Sequence, residues 1–124
     1  MVYFISGHRD ITQEKFDEIY VPIIKEAAKD ERNSFVVGDC VGVDMMAQIW
    51  LAENLKNPER VTVYHMFDLP RFKASEKFNV VGGFRSDIER DSKMTEVSDS
   101  DIAFIGKGRW TSGTAQNILR RYEI

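Results

Sequence analysis

Hydrophobic positions along this chain switch repeatedly between short continuous runs and helical spacing. Val2 to Ser6 is apolar, β-prone and short, which predicts a buried first strand. Thr12 then stands as a helix N-cap, with Gln13 and Glu14 in the first turn and Lys15 at the capping-box position. Phe16, Ile19, Tyr20, Ile23, Ile24 and Ala27 recur at helical spacing and predict an amphipathic helix over 13–29. Pro22 lies inside that pattern and predicts a kink. Phe35, Val36 and Val37 form a second strand that Gly38 ends. Val43, Met46, Ala47, Trp50 and Leu51 mark the buried face of a helix over 43–55, closed by Asn57-Pro58. Residues 60–66 alternate as a third strand, with Val61, Val63 and His65 on one face. Residues 67–83, which hold Pro70 and Gly82-Gly83, read as a long irregular connector. A polar helix over 84–97 turns Ile88, Met94 and Val97 inward. A strand over 101–105, a glycine-bearing loop over 106–112 and a helix over 113–122 complete the order.

Strands that alternate with helices imply an α/β three-layer sandwich, a parallel sheet of at least four strands covered on both faces. Residues 1–124 are read as a single domain. Ligands of such sheets bind beyond the carboxyl ends of the strands, near the switch in strand order. That rule gathers the loops 7–10, 38–44, 67–85 and 106–114 on one edge.

Composition narrows the classes. Apolar residues make up 43% and charged residues 30%, as in an ordinary globular protein. The net charge of −3 argues against general nucleic-acid binding but allows a local anion pocket. Cys40 is the single cysteine, so no intramolecular disulfide forms. No signal peptide or long apolar run is evident, so a cytoplasmic protein without a membrane partner is expected. An unpaired sheet edge would favour a homodimer.

Four constellations carry the candidate chemistry. Gly7-His8-Arg9-Asp10 follows the first strand, where Arg9 suits a phosphate or pairs with Asp10 in a solvated turn. Gly38-Asp39-Cys40-Val41-Gly42-Val43-Asp44 joins a buried strand to a helix, a backbone able to cradle an anion. Asp44 there either steadies the helix start or accepts from a ribose hydroxyl. The stretch lacks both GxGxxG and a Walker A loop. Cys40 reads as a small turn residue. Arg85 opens the third helix after the double glycine and would point to the same edge. Asp87, Glu89, Asp91 and Glu96 read as a solvated face, with no metal cluster at their spacing. Last, Gly106-Lys107-Gly108-Arg109-Trp110-Thr111-Ser112-Gly113-Thr114 offers cations, hydroxyls and free N–H groups, with Gln116 and Asn117 one turn in. Trp110 would stack on a base or cover the pocket. No cofactor is called for.

These motifs, together with Ala47, Arg85-Ser86-Asp87 and the strand Asp101-Ile102-Ala103-Phe104-Ile105, resemble the SLOG superfamily. That group contains the LOG phosphoribohydrolases, the DprA/Smf proteins and the small YspA/YpsA-like proteins, and the resemblance is nearest to the last branch. It implies a Rossmann-like sheet and a site for a nucleotide, nucleoside phosphate or nucleotide-derived signal. Gly7, His8, Arg9, Gly38, Asp39, Gly42, Asp44, Arg85, Gly106, Lys107, Arg109, Ser112, Gly113, Thr114 and Asn117 are the expected ligand-binding residues. In LOG enzymes a Pro-Gly-Gly-x-Gly-Thr-x-x-Glu motif supplies a catalytic glutamate. Gly113-Thr114 match its Gly-Thr, but Asn117 occupies the glutamate position and the Pro-Gly-Gly is absent. An amide cannot serve as that acid or base. The reading is therefore binding, by a sensor or sequestering protein. The alternative is an N-glycosidase or deoxyribosyltransferase-like enzyme using Asp39, Asp44 or Asp87.

Overall fold

The computed structural model describes residues 1–122. Five parallel strands form one sheet in the order β4-β3-β2-β1-β5. They are β1 (Val2–Ile5), β2 (Ser34–Val37), β3 (Val61–Met66), β4 (Asn79–Phe84) and β5 (Ser100–Ile102). The helices are α1 (Gln13–Ile19), α2 (Val21–Ala28), α3 (Val43–Asn54), α4 (Asp87–Val97) and α5 (Gly113–Tyr122), with one 3-10 turn at Pro58–Arg60. Helices α1 to α3 cover one face of the sheet, and α4 and α5 cover the other. This is a Rossmann-like three-layer α/β sandwich.

Strand alternation assigns the two faces. Ile5, Phe35, Val37, Val61, Val63 and Ile102 pack with Phe16, Tyr20, Ile24, Val43, Ala47 and Leu51 in the larger core. Their neighbours Phe4, Val36 and Tyr64 pack with Met94 in a smaller core under α4. Thr12 caps α1 by accepting from the Lys15 N–H at 3.1 Å. Pro22 does more than bend the helix over 13–29. The helix divides at Tyr20, and Pro22 sits in the first turn of α2, where its missing N–H costs nothing. Ile23 and Ile88, both expected inward, are 46% and 72% exposed.

The connector over 67–83 needs correction. Its last part is β4, an edge strand paired with β3. The pair Gly82-Gly83 belongs to that strand, because Gly82 lies against the His65 ring, where a side chain would collide. The remainder, 67–78, is a packed segment. The buried Gln48 side chain donates to Gly38 O at 2.8 Å and Phe72 O at 3.2 Å, and accepts from the Ala74 N–H at 3.0 Å. Phe67 holds a positive φ of 56° where the chain leaves β3. The fifth strand is shorter than the stretch expected at 101–105.

Up to β4 each new strand adds on the same side. The chain then crosses the sheet through α4 and sets β5 beside β1. The order of addition therefore reverses between β1 and β5.

Candidate functional site

A cavity of about 520 Å³ opens at that reversal, where crevices of doubly wound sheets bind ligands. Its volume is within the range of small-molecule pockets. One wall is the turn after β1, from Ser6 to Asp10; the opposite wall is Arg109 with Ser112 to Thr114 and Asn117 on α5. Cys40 and Asp44 close a third side, and Asp87, Arg90, Asp91 and Met94 of α4 the fourth.

Hydrogen bonds hold the mouth in shape. The Tyr20 hydroxyl donates to Ser6 O at 2.8 Å and accepts from the Phe104 N–H at 3.1 Å, tying the ends of β1 and β5 together. Burial pushes that phenol up to about 12, so it stays protonated. His8 Nε2 accepts the Gly106 N–H at 2.8 Å, which requires this nitrogen to be unprotonated. Burial, then the nearby Arg109 charge, lower the His8 pKa in the same sense. Arg109 Nη1 donates to Asp10 Oδ1 at 2.6 Å across the mouth. Gly42 has φ +84° and brings the start of α3 against the backbone of His8 and Arg9, which no other residue type could do without strain.

The N-terminus of α5 faces the cavity. Ser112 caps it, accepting the Ala115 N–H on its hydroxyl at 3.2 Å and the Gln116 N–H on its carbonyl at 3.0 Å. The N–H groups of Gly113 and Thr114 find no acceptor among the described residues. A Cβ on Gly113 would meet nothing within 4 Å. Free donors, the helix dipole and open space make an anion seat.

Beneath the sides formed by Asp44 and α4 lies a dense charge cluster. The Asp39 side chain is 1% exposed and accepts from the Arg71 N–H at 2.7 Å, Arg71 Nη2 at 2.8 Å and Arg90 Nη1 at 3.0 Å. Burial alone would raise its pKa, but the Arg71 hydrogen bonds outweigh it and hold the carboxylate below its ordinary range. The Arg90 side chain is 5% exposed and donates through Nε and Nη2 to Asp91 Oδ1, both at 3.1 Å. Burial pushes the Asp91 carboxyl up, with Arg90 opposing. Asp44 accepts the Cys40 N–H at 3.1 Å. Burial pushes it up to about 7, again against the pull of Arg90. Two carboxyls with raised pKa therefore line the cavity.

Several of the expected ligand-binding residues converge here. Gly7, His8, Arg9, Asp44, Arg109, Ser112, Gly113, Thr114 and Asn117 all line the cavity, as does Asp87. Gly38, Asp39, Gly42, Arg85, Gly106 and Lys107 do not. In the turn 38–44 two backbone donors are engaged within the protein, Cys40 on Asp44 and Val43 on His8 O at 3.3 Å. Its part is to shape the wall, and Asp39 anchors two arginines beneath it. Arg85 and Lys107 point to solvent, and Trp110 is 70% exposed at the loop tip. Asp91, expected on a solvated helix face, is half-buried against the cavity; Glu89 and Glu96 stay exposed. Ser6, Asp10, Cys40, Arg90, Asp91 and Met94 line the cavity without having been singled out as ligand contacts. Arg90 and Met94 had a detectable signal, since they lie four apart on one helix face.

Among the described residues no group of His, Cys, Asp and Glu side chains is arranged to hold a metal ion. No helix among them is long and apolar enough to cross a membrane. No family model, curated protein or solved structure matches this chain.

Proposed function

We propose that this protein binds a nucleotide, nucleoside phosphate or nucleotide-derived signal in the cavity between β1 and β5, as a sensing or sequestering protein of the SLOG type. The observation that carries the reading is the α5 N-terminus, with the Gly113 and Thr114 N–H groups lacking acceptors and facing a cavity of nucleotide scale. Arg9 and Arg109 stand at the mouth, paired with Asp87 and Asp10, as guanidinium donors that an arriving phosphate can share. The protein would act in the cytoplasm. The edge strand β4, with Val80 and Val81 46% and 37% exposed, offers a surface for pairing with a second copy.

Thermal unfolding with a panel of nucleoside mono-, di- and triphosphates tests the reading. A ligand at 100 times its Kd stabilises by about 2.7 kcal/mol. For 124 residues, at ~2.1 cal/mol/K per residue, that raises the Tm by about 10 °C. Gly113→Val should leave the unliganded Tm nearly unchanged, because the new side chain enters open space, and should remove the ligand response. The absence of any Tm shift at millimolar nucleotide refutes the proposal.

A second reading is N-glycosidic cleavage of a nucleoside monophosphate. It is favoured by Asp44 and Asp91, two cavity carboxyls with raised pKa; that of Asp44, pushed up to about 7, suits proton transfer near neutral pH. Release of free base on incubation, read by chromatography, distinguishes turnover from binding alone.

A further inference from the structure

The buried Ser6 hydroxyl lacks the partner that such a group requires. Ser6 is 6% exposed, and its Oγ has no hydrogen-bond partner among the described residues. Its backbone is fully engaged: the N–H donates to Ile102 O at 3.1 Å, and the carbonyl accepts from Tyr20. Among the described residues two other buried polar atoms share this condition, but neither resembles it. Thr95 lies outside the cavity, and Asp87 Oδ1 lies 3.6 Å from Arg90 Nη2 in an ion pair. An unpaired buried hydroxyl costs folding free energy that an alanine would avoid. A residue that keeps this cost while facing a cavity points to a partner that arrives from outside.

The surroundings indicate what that partner is. By strand alternation Ser6 shares the sheet face of Phe4, which packs against Met94 of α4. Thr114 and Asn117, three residues apart on α5, line the same cavity. Asp91, bonded to Arg90 and Asn117, stands beside them, so among the described residues this part of the wall holds no unpaired cation. The exposed cations Arg9 and Arg109 belong to the mouth, and the buried Arg90 is taken up by Asp39 and Asp91. Such a lining suits a neutral group with hydrogen-bonding edges, and the anion seat lies at the α5 N-terminus.

We propose that Ser6 is a specificity residue whose hydroxyl pairs with the uncharged sugar or base portion of a nucleoside monophosphate held by its phosphate at α5. This inference rests on the binding function proposed above. Three proteins are compared by thermal unfolding and calorimetric titration: wild type, Ser6→Ala, and Ser6→Cys, whose thiol keeps the shape but is a weak donor. The probes are the four ribonucleoside 5′-monophosphates and inorganic phosphate. Unliganded Ser6→Ala should be at least as stable as wild type. Its affinity for the best monophosphate should fall about threefold to tenfold, the worth of one neutral hydrogen bond, with Ser6→Cys falling also. Affinity for inorganic phosphate should not change. Equal weakening toward inorganic phosphate, or a destabilised unliganded Ser6→Ala, overturns the assignment while leaving the binding function standing. Unchanged monophosphate affinity in both variants overturns it likewise. No response of wild type to any monophosphate overturns the assignment, and the binding function falls with it only when the di- and triphosphates also give no Tm shift.

Discussion

Asp44 makes the folded protein lose stability as the pH rises through neutrality. In the unfolded chain its carboxyl titrates near the ordinary 3.8; in the fold, burial moves it to about 7. A carboxyl with a raised folded pKa favours folding while it is protonated. Its contribution is complete below 3.8 and is lost as the pH approaches 7. At 1.36 kcal/mol per pH unit the whole interval corresponds to about 4 kcal/mol, of which about 2 kcal/mol falls between pH 5.5 and 8. Asp91, also raised, acts in the same sense. His8 acts in the opposite one, because its lowered pKa makes folding more favourable as the pH rises toward 6.5. Asp44→Asn isolates the Asp44 part. The amide oxygen still accepts the Cys40 N–H, and the side chain no longer ionises. Urea unfolding of both proteins at pH 5.5 and pH 8 reads the difference. The wild-type minus variant stability should fall by about 2 kcal/mol across that interval, roughly a 1 M change in relative urea midpoint. A difference that stays flat, or grows with pH, refutes the argument that this carboxyl is held neutral by its surroundings.

Two further outcomes follow from the packing. Asp39→Ala leaves the buried Arg90 guanidinium without one of its closest carboxylates and frees Arg71. A loss of about 3–5 kcal/mol by urea unfolding is expected, whereas a cost under 1 kcal/mol would mean that Asp87 and Asp91 suffice for Arg90. Gly82→Ala places a methyl group against the His65 ring and should destabilise by about 1–3 kcal/mol; an unchanged Tm would show that β4 does not lie against β3 in this register.

The layered fold was legible because its signals are local and strong. The run Phe35-Val36-Val37, the cap at Thr12 and the helical spacing from Phe16 to Ala27 each depend on near neighbours in the chain. The element that escaped, β4, has a reason to escape. Its residues from Asn79 to Gly83 are exposed, and of its glycines, which ordinarily signal a turn, Gly82 is required by His65 of another strand. The site shows the same division. Ser112-Gly113-Thr114 announces itself through the chemistry of a helix start. Arg90 and Asp91 look like solvated residues of a polar helix. Only the approach of Asp39, 51 positions earlier in the chain than Arg90, turns them into an interior cluster. The turn 38–44 was legible as a strand-to-helix junction, but not the use of its Cys40 and Val43 N–H groups, which bond Asp44 and His8.

The reversal between β1 and β5 also bears on how the molecule comes into being. Phe4 pairs with Asp101, and the Val2 N–H bonds the Asp99 side chain across 97 positions. During synthesis from the N-terminus, β1 to β4 can assemble while β1 still presents an unpaired edge to its surroundings. That edge is Tyr3, Phe4 and Ile5, the kind of apolar ribbon that templates aggregation. Long-range closure of this sort is slow compared with local helix formation. A chain truncated before Ser100 would therefore lack more than one wall of the cavity. It would leave the Tyr3, Phe4 and Ile5 edge unpaired, so β5 shields an edge that a second chain could otherwise extend.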